Sequence, residues 1–258
     1  MQLSIRTELD CHFPSPFDML LQIEAAIIPE QTVLDAYLDL PIVDHFARVA
    51  GHDAIGERIW LRYQGDLRVT YTSQVEVNRL HGDIADLPAV PPHQLPGETV
   101  QYLLPSRYCP SFEFQALVED EFGSLAGGAR IDAIRQWIAQ HIAYVPGSSG
   151  IATGAMETYV GRSGVCRDFA HLLITMARAS AIPARFASVY GLGVTPPDFH
   201  AVAEVFLDGC WYMIDATGMS DADRIAKIGV GRDAADVSFL TSYGAAVINR
   251  QEVSVCAA

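Results

Sequence analysis

Hydrophobic and polar positions alternate with a period of two through LSIRTELDCHF, the pattern of a strand with one buried face. LLQIEAAII is a continuous apolar run and predicts a buried strand. RIWLRYQGDLRVTYTSQVEV predicts two strands meeting at Gly65-Asp66. These short strand-like segments give the first part of the chain the grammar of a β-sandwich. The proline-rich stretch DLPAVPPHQLPGE suits neither helix nor central strand, and it sets a boundary between a β-rich domain at residues 1–100 and a second domain at 101–258.

Beyond that boundary the period changes. GGARIDAIRQWIAQHIAYV carries Ile131, Ile134, Ile138 and Ile142 at helical spacing. A loop, PGSSGIATGA, leads to a second helical segment, CRDFAHLLITMARAS, which must stop before Ile182-Pro183 because proline cannot continue it. ARFASVYGLG is strand-like. HAVAEVFL and CWYMID read as two strands joined by Asp208-Gly209. The fold class expected is α+β.

Half of the 258 residues are hydrophobic and 19% are charged, which fits a packed globule and not a disordered chain. A formal charge of −14 gives no basic field for nucleic acid or an anionic membrane surface. MQLSIRTELD lacks a basic segment followed by an apolar one, and no run approaches the roughly 18 apolar residues of a membrane helix, so a cytoplasmic protein is expected. The five cysteines, Cys11, Cys109, Cys166, Cys210 and Cys256, are odd in number and unpaired in spacing. That excludes a simple disulfide framework or a C-x-x-C metal site and leaves at least one free thiol.

Cys166 follows Ser163-Gly164-Val165 and opens the second helix, where orphan backbone N–H groups and the positive end of the helix dipole favour thiolate. The hairpin supplies partners. With Asp208-Gly209 as a two-residue turn, Leu207 faces Cys210, Val202 faces Asp215 and His200 faces Thr217. Period-two alternation then projects His200, Val202, Asp215 and Thr217 from one face, with the Asp215 carboxylate diagonal to the His200 imidazole and within its reach. The opposite face (Ala201, Ala203, Val205, Leu207, Tyr212, Ile214) is apolar and reads as core. A thiol on a neighbouring helix completes a Cys-His-Asp set in which the histidine activates the sulfur and the aspartate orients the histidine.

GVCRDFAHLLITMARASAIPARF, DFHAVAEVFLDGCWYMIDATG and VGRDAADVSF resemble the core of bacterial transglutaminase-like proteins of the cysteine-protease type, and LLPSRYC at 103–109 resembles the entry into that core. The resemblance covers roughly residues 100–255, and the β-rich part before it is similar to the sandwich those proteins carry. It implies a papain-like core with Cys166 as nucleophile, His200 as base and Asp215 as orienting group, acting on a peptide or protein amide. Family members usually carry tryptophan where this chain has Val202, a position the hairpin register puts between His200 and Asp215. The function expected is thiol-dependent amide hydrolysis through a thioester. Acyl transfer to an amine is one alternative, and a catalytically silent peptide-binding or scaffold module is another.

The tetrahedral oxyanion needs donors. The Cys166 backbone N–H is the first, and Tyr144 is a candidate second. Asp168 reads as a first-turn helix stabiliser, and His171, five residues from Cys166, as packing. Arg232, Asp233 and Asp236 either border the cleft or form a loop ion pair. His12, His45, His52, His81, His93 and His141 show no ligand spacing, and GRSGV lacks the phosphate-loop pattern, so neither a metal nor a cofactor is implied.

Overall fold

In order along the chain come β1 (Gln2–Leu21), β2 (Gln31–Asp39), β3 (His45–Ala50) and β4 (Glu57–Val77), then α1 (Gln115–Phe122), α2 (Gly127–His141), β5 (Ala143–Tyr144), α3 (Ala155–Gly161), β6 (Ser163–Gly164) and α4 (Cys166–Ala179). The chain continues through β7 (Ala184–Gly191), β8 (His200–Leu207), β9 (Cys210–Ile214) and β10 (Ile225–Gly231), and closes with β11 (Leu240–Ser242) and β12 (Val247–Ala257). This computed structural model describes residues 1–79 and 82–258, so His81 lies outside the described residues.

The N-terminal region is sheet-rich, its strands joined in one six-stranded sheet whose spine is the antiparallel pair β1 and β4. Alternation works along β1: Leu3, Ile5, Leu9, Cys11, Phe13, Met19 and Leu21 are buried while their neighbours are not. Gly65-Asp66 does not turn the chain. It lies inside β4, with Gly65 opposite Phe13 and Asp66 opposite His12. The positive φ of Gly65 sits beside an irregularity in which residues 14–16 of β1 depart from the ladder, so the glycine serves a bulge and not a hairpin. Only the first two residues of LLQIEAAII belong to a strand. The rest crosses over the second sheet, where Gln22 N–H donates to Phe239 O and Ala26 N–H to Lys227 O.

β11 pairs with β1 at Met19–Leu21, and β12 runs antiparallel to β1 from Leu3 to His12. The C-terminal residues 240–257 therefore complete the first sheet, on the far side of the boundary expected near residue 100. A strand's partner is chosen by long-range pairing, which leaves no local mark in composition.

The second sheet has the order β10-β7-β8-β9, all antiparallel. Asp208 and Gly209 both have positive φ, as a two-residue hairpin turn requires, and the register Leu207↔Cys210 through Ala203↔Ile214 is the one the turn dictates. Helix α4 covers the face of Ala201, Ala203, Val205 and Leu207. The opposite face is buried as well: Val202 lies in an apolar cluster with Ala187, Val189, Met213, Ile225 and Val230. Tyr190, Ala226 and Ile228 extend into the core of the first sheet, so the two sheets share one packed interior.

On the Val202 side the sheet also buries charge. Glu204 contacts Arg185 Nε at 2.8 Å and Lys227 Nζ at 2.6 Å, and Arg185 also reaches Asp53 at 2.8 Å. Burial alone would raise the Glu204 pKa, but the two cations outweigh it and hold the carboxyl down to about 2.

Candidate active site

Cys166 is the first residue of α4. Val165 before it is extended, and Asp168 at the third helical position accepts the Val165 N–H at 2.9 Å and the Ser149 hydroxyl at 2.8 Å. Val165 has no side-chain oxygen to return the cap, and the Asp168 N–H bonds back to Val165 O at 2.8 Å instead, which leaves the Cys166 N–H at the open end of the helix. Asp168 is thus a buried helix cap, as its position suggests. Gly164 leaves room for it, since a Cβ there would stand 2.7 Å from the Asp168 Cβ.

The two-residue strands β5 and β6 run parallel, with Tyr144 opposite Gly164. This bridge brings the Tyr144 side chain against Cys166. The phenol pKa is raised, first by burial and then by the neighbouring Cys166.

His200 opens β8 and is almost fully buried. Its Nε2 lies 2.9 Å from Asp215 Oδ2, just past the end of β9. Asp215 is held in turn: Oδ1 accepts the Thr217 N–H at 2.8 Å and the Thr217 hydroxyl at 2.7 Å, and Oδ2 also accepts the Ser220 N–H at 3.1 Å. His200 Nδ1 is buried and has no hydrogen-bond partner among the described residues. With Nε2 committed to Asp215, Nδ1 is the ring nitrogen available to Cys166. Burial would lower the His200 pKa, but the Asp215 hydrogen bond and the Cys166 sulfur overcome it and raise it to about 9. Asp215 is held below its ordinary range: burial pushes it up, and the bonds from His200 and Thr217 pull it down further.

The three residues line or adjoin an open cleft. A cavity of about 650 Å³ is bounded by Cys166, His200, Phe186, Tyr108, Ala234 and Phe239, among others. Its far wall is the segment leading into β11, so the first sheet's returning strands help to build the cleft. Val202 is fully buried and does not line it. The valine at this position thus packs in the interior of the sheet and adds nothing to the cleft surface.

Other residues singled out in the sequence have structural work. His171 stacks on Tyr108 with ring centroids 5.0 Å apart, accepts the Ala234 N–H at 3.2 Å, and has its pKa lowered to about 3 by burial and nearby arginines. Asp233 is buried and accepts the Tyr108 N–H at 3.0 Å, while Arg232 pairs with Asp236 at 2.9 Å. That loop is an ion-paired brace, and its Ala234 and Ala235 touch the cleft. The sequence places Thr217 on the face of His200 and Asp215 without giving it a role, and it does not mark Ser220, which with Thr217 fixes the aspartate, nor Arg107 and Tyr108. The spacing of Asp215 and Thr217 is the local signal for the first of these, since a hydroxyl two residues after an aspartate commonly bonds back to it. Among the described residues, no group of three His, Cys, Asp or Glu side chains could hold a metal ion, and no helix is long and apolar enough to cross a membrane.

A thiol at a helix N-terminus thus stands with an imidazole and its anchored carboxylate on an α+β core. Residues 118–216 match the transglutaminase-like superfamily. A Cytophaga hutchinsonii crystal structure named "Putative Cysteine Protease" is 31% identical over 99% of this chain and 90% of that one, with a TM-score of 0.91. The chain belongs to the transglutaminase-like superfamily. Two curated relatives are uncharacterized mycobacterial proteins. That of Mycobacterium leprae is 29% identical over 114 residues, 41% of each chain, and that of Mycobacterium tuberculosis H37Rv is 36% identical over 110 residues, 36% of this chain and 35% of its own. The matched region therefore spans less than half the length of either relative.

Proposed function

We propose that the chain is a thiol-dependent hydrolase of peptide or protein amide bonds, with Cys166 as nucleophile, His200 as proton carrier and Asp215 as its orienting group. The observation that carries this reading is the division of labour on one imidazole. Nε2 of His200 is fixed by Asp215 at 2.9 Å, its buried Nδ1 has no other partner among the described residues, and Cys166 stands beside it at the wall of an open cleft. A silent scaffold has no use for a buried histidine so arranged.

In the reaction, the thiolate sulfur bonds to the amide carbonyl carbon, and the carbonyl electron pair moves to oxygen. The Cys166 N–H, with the Tyr144 hydroxyl beside it, faces that oxyanion. As the tetrahedral centre collapses, the C–N bond breaks and imidazolium gives its proton to the leaving amine, which leaves a thioester. Water then attacks, with His200 taking its proton, and the acid departs as the thiolate returns.

The same thioester could pass to an amine. The chain's only lysine, Lys227, is fully buried against Glu204, so it offers no lysine side chain of its own to such transfer. All five cysteines are unpaired, which suits the reducing cytoplasm as the compartment.

The test is alkylation by iodoacetamide across pH, read by peptide mass spectrometry, in the wild type and in His200→Ala. Cys166 is expected to react faster than the exposed Cys210 and Cys256 and to lose this advantage in the variant. A Cys166 no faster than those two would favour a binding module instead. Peptide amides incubated with and without added primary amine then separate hydrolysis from transfer.

A further inference from the structure

The cleft at Cys166 adjoins a second hollow of about 400 Å³, and the two share Arg107, Tyr108 and Ile151 as their common wall. Tyr108 is a rigid shelf there. Its backbone N–H is held by Asp233, its hydroxyl donates to Ile151 O at 2.9 Å, and its ring is stacked on His171. The chain around it is tied down by the buried Arg178, which donates to Leu104 O at 3.0 Å and to the Ser106 hydroxyl at 3.1 Å.

On this shelf stands Arg107, its guanidinium carbon 5.0 Å from the Tyr108 ring centroid. Arg167 also lies over the ring, at 5.7 Å, but its donors serve Ser149 and Gly150 O, and Asp168 lies 3.6 Å away. Arg107 has no such partner. Among the described residues no carboxylate comes within the 4.0 Å of an ion pair, although the chain carries 31 acidic residues against 17 basic ones. The nearest acidic groups of the two hollows are engaged elsewhere: Asp198 accepts the Phe199 N–H and a Gln251 amide, and Glu157 caps α3. Glu113, in the second hollow, forms no ion pair with Arg107. An exposed guanidinium stacked on a fixed aromatic face, with its N–H edge unclaimed, is pre-organised for bidentate capture of a carboxylate.

We propose that Arg107 anchors a carboxylate of the acyl substrate, so that the preferred substrates are peptide or protein amides with an acidic group close to the bond that is cut. This specificity rests on the thiol-hydrolase reading above. It also gives purpose to a local cation in a protein of net charge −14, where an acidic substrate must be drawn to the cleft against the overall field.

The test uses two thiol reagents that differ by one carboxylate, iodoacetyl-glutamic acid amide and iodoacetyl-glutamine amide. In each, the cysteine sulfur displaces iodide. Cys166 in the wild type is expected to prefer the acidic reagent roughly tenfold at low salt, the scale of one charge-assisted hydrogen-bonded contact. In Arg107→Gln the ratio falls toward unity, and in Arg107→Lys it lies between. An acid-to-neutral ratio equal in wild type and Arg107→Gln would overturn the anchor while leaving the thiol chemistry intact. If neither reagent labels Cys166 faster than the exposed Cys256, the thiol reading falls and the anchor falls with it.

Discussion

The imidazole of His200 and the carboxylate of Asp215 stand 15 residues apart in sequence and 2.9 Å apart in space, and both are almost fully removed from water. Asp215 cannot swing away, because Thr217 and Ser220 hold its oxygens. Replacing Asp215 by Asn keeps the shape but removes the charge and offers an amide N–H where the ring expects an acceptor. Amide hydrolysis is expected to fall by roughly 10²–10⁴-fold, with the fold unchanged by circular dichroism. Steady-state kinetics on a cleaved peptide amide would check it, and a loss below threefold would remove Asp215 from the machinery.

The pH dependence of stability follows from the same pair. The folded pKa of His200, about 9, lies above the unfolded value of about 6.5, so its contribution is fully present below the lower value and is lost as pH rises through the upper one. The contribution lost is at most roughly 3 kcal/mol. Asp215, held below its ordinary range, contributes above that range and loses its share as pH falls through its folded pKa. Cys166→Ala removes one source of the histidine shift, so NMR titration should find the His200 pKa lower in the variant. No change would mean that sulfur and ring do not interact.

Tyr144→Phe tests the oxyanion assignment. If the hydroxyl stabilises the developing charge, kcat falls by roughly 10²–10³-fold while KM stays near the wild-type value. A change confined to KM would show that the ring only lines the cleft.

Gly164→Ala introduces a methyl that would stand 2.7 Å from the Asp168 Cβ, displacing the cap that sets the start of α4. The variant is expected to lose roughly 1–2 kcal/mol, the worth of a cap plus local crowding. It should also slow Cys166 alkylation by more than this destabilisation explains. Urea denaturation and the alkylation rate measured together would separate the two effects.

Glu204→Ala leaves Arg185 and Lys227 buried without their shared carboxylate. The expected cost is roughly 3–5 kcal/mol. Lys227→Met should cost less, because Glu204 keeps Arg185 and the methionine fills the space with apolar surface. The order of the two midpoints in urea decides the matter; the reverse order would locate the stabilising charge on lysine.

The hairpin that carries His200 and Asp215 was legible because its information is local. Asp208-Gly209 selects the turn, the turn fixes the register, and period two assigns the faces. The extent of α4 was legible for the same reason, its first turn marked by Asp168 and its end by the break at Pro183. Gly65-Asp66 misled because an identical local signal serves a bulge when a neighbouring strand claims the backbone on both sides.

By itself the sequence determined the element types, the hairpin register and the residues able to supply thiol, imidazole and carboxylate, since propensity, turn chemistry and alternation act over a few residues. Tertiary structure alone decided what those elements meet. It returned residues 240–257 to the first sheet and made them a wall of the cleft, buried Val202 in the sheet interior, and stood Arg107 on the Tyr108 shelf with no ion pair among the described residues. Such outcomes depend on pairing and packing between segments far apart in the chain, where the free energy belongs to the assembled interior and no single stretch of sequence records it.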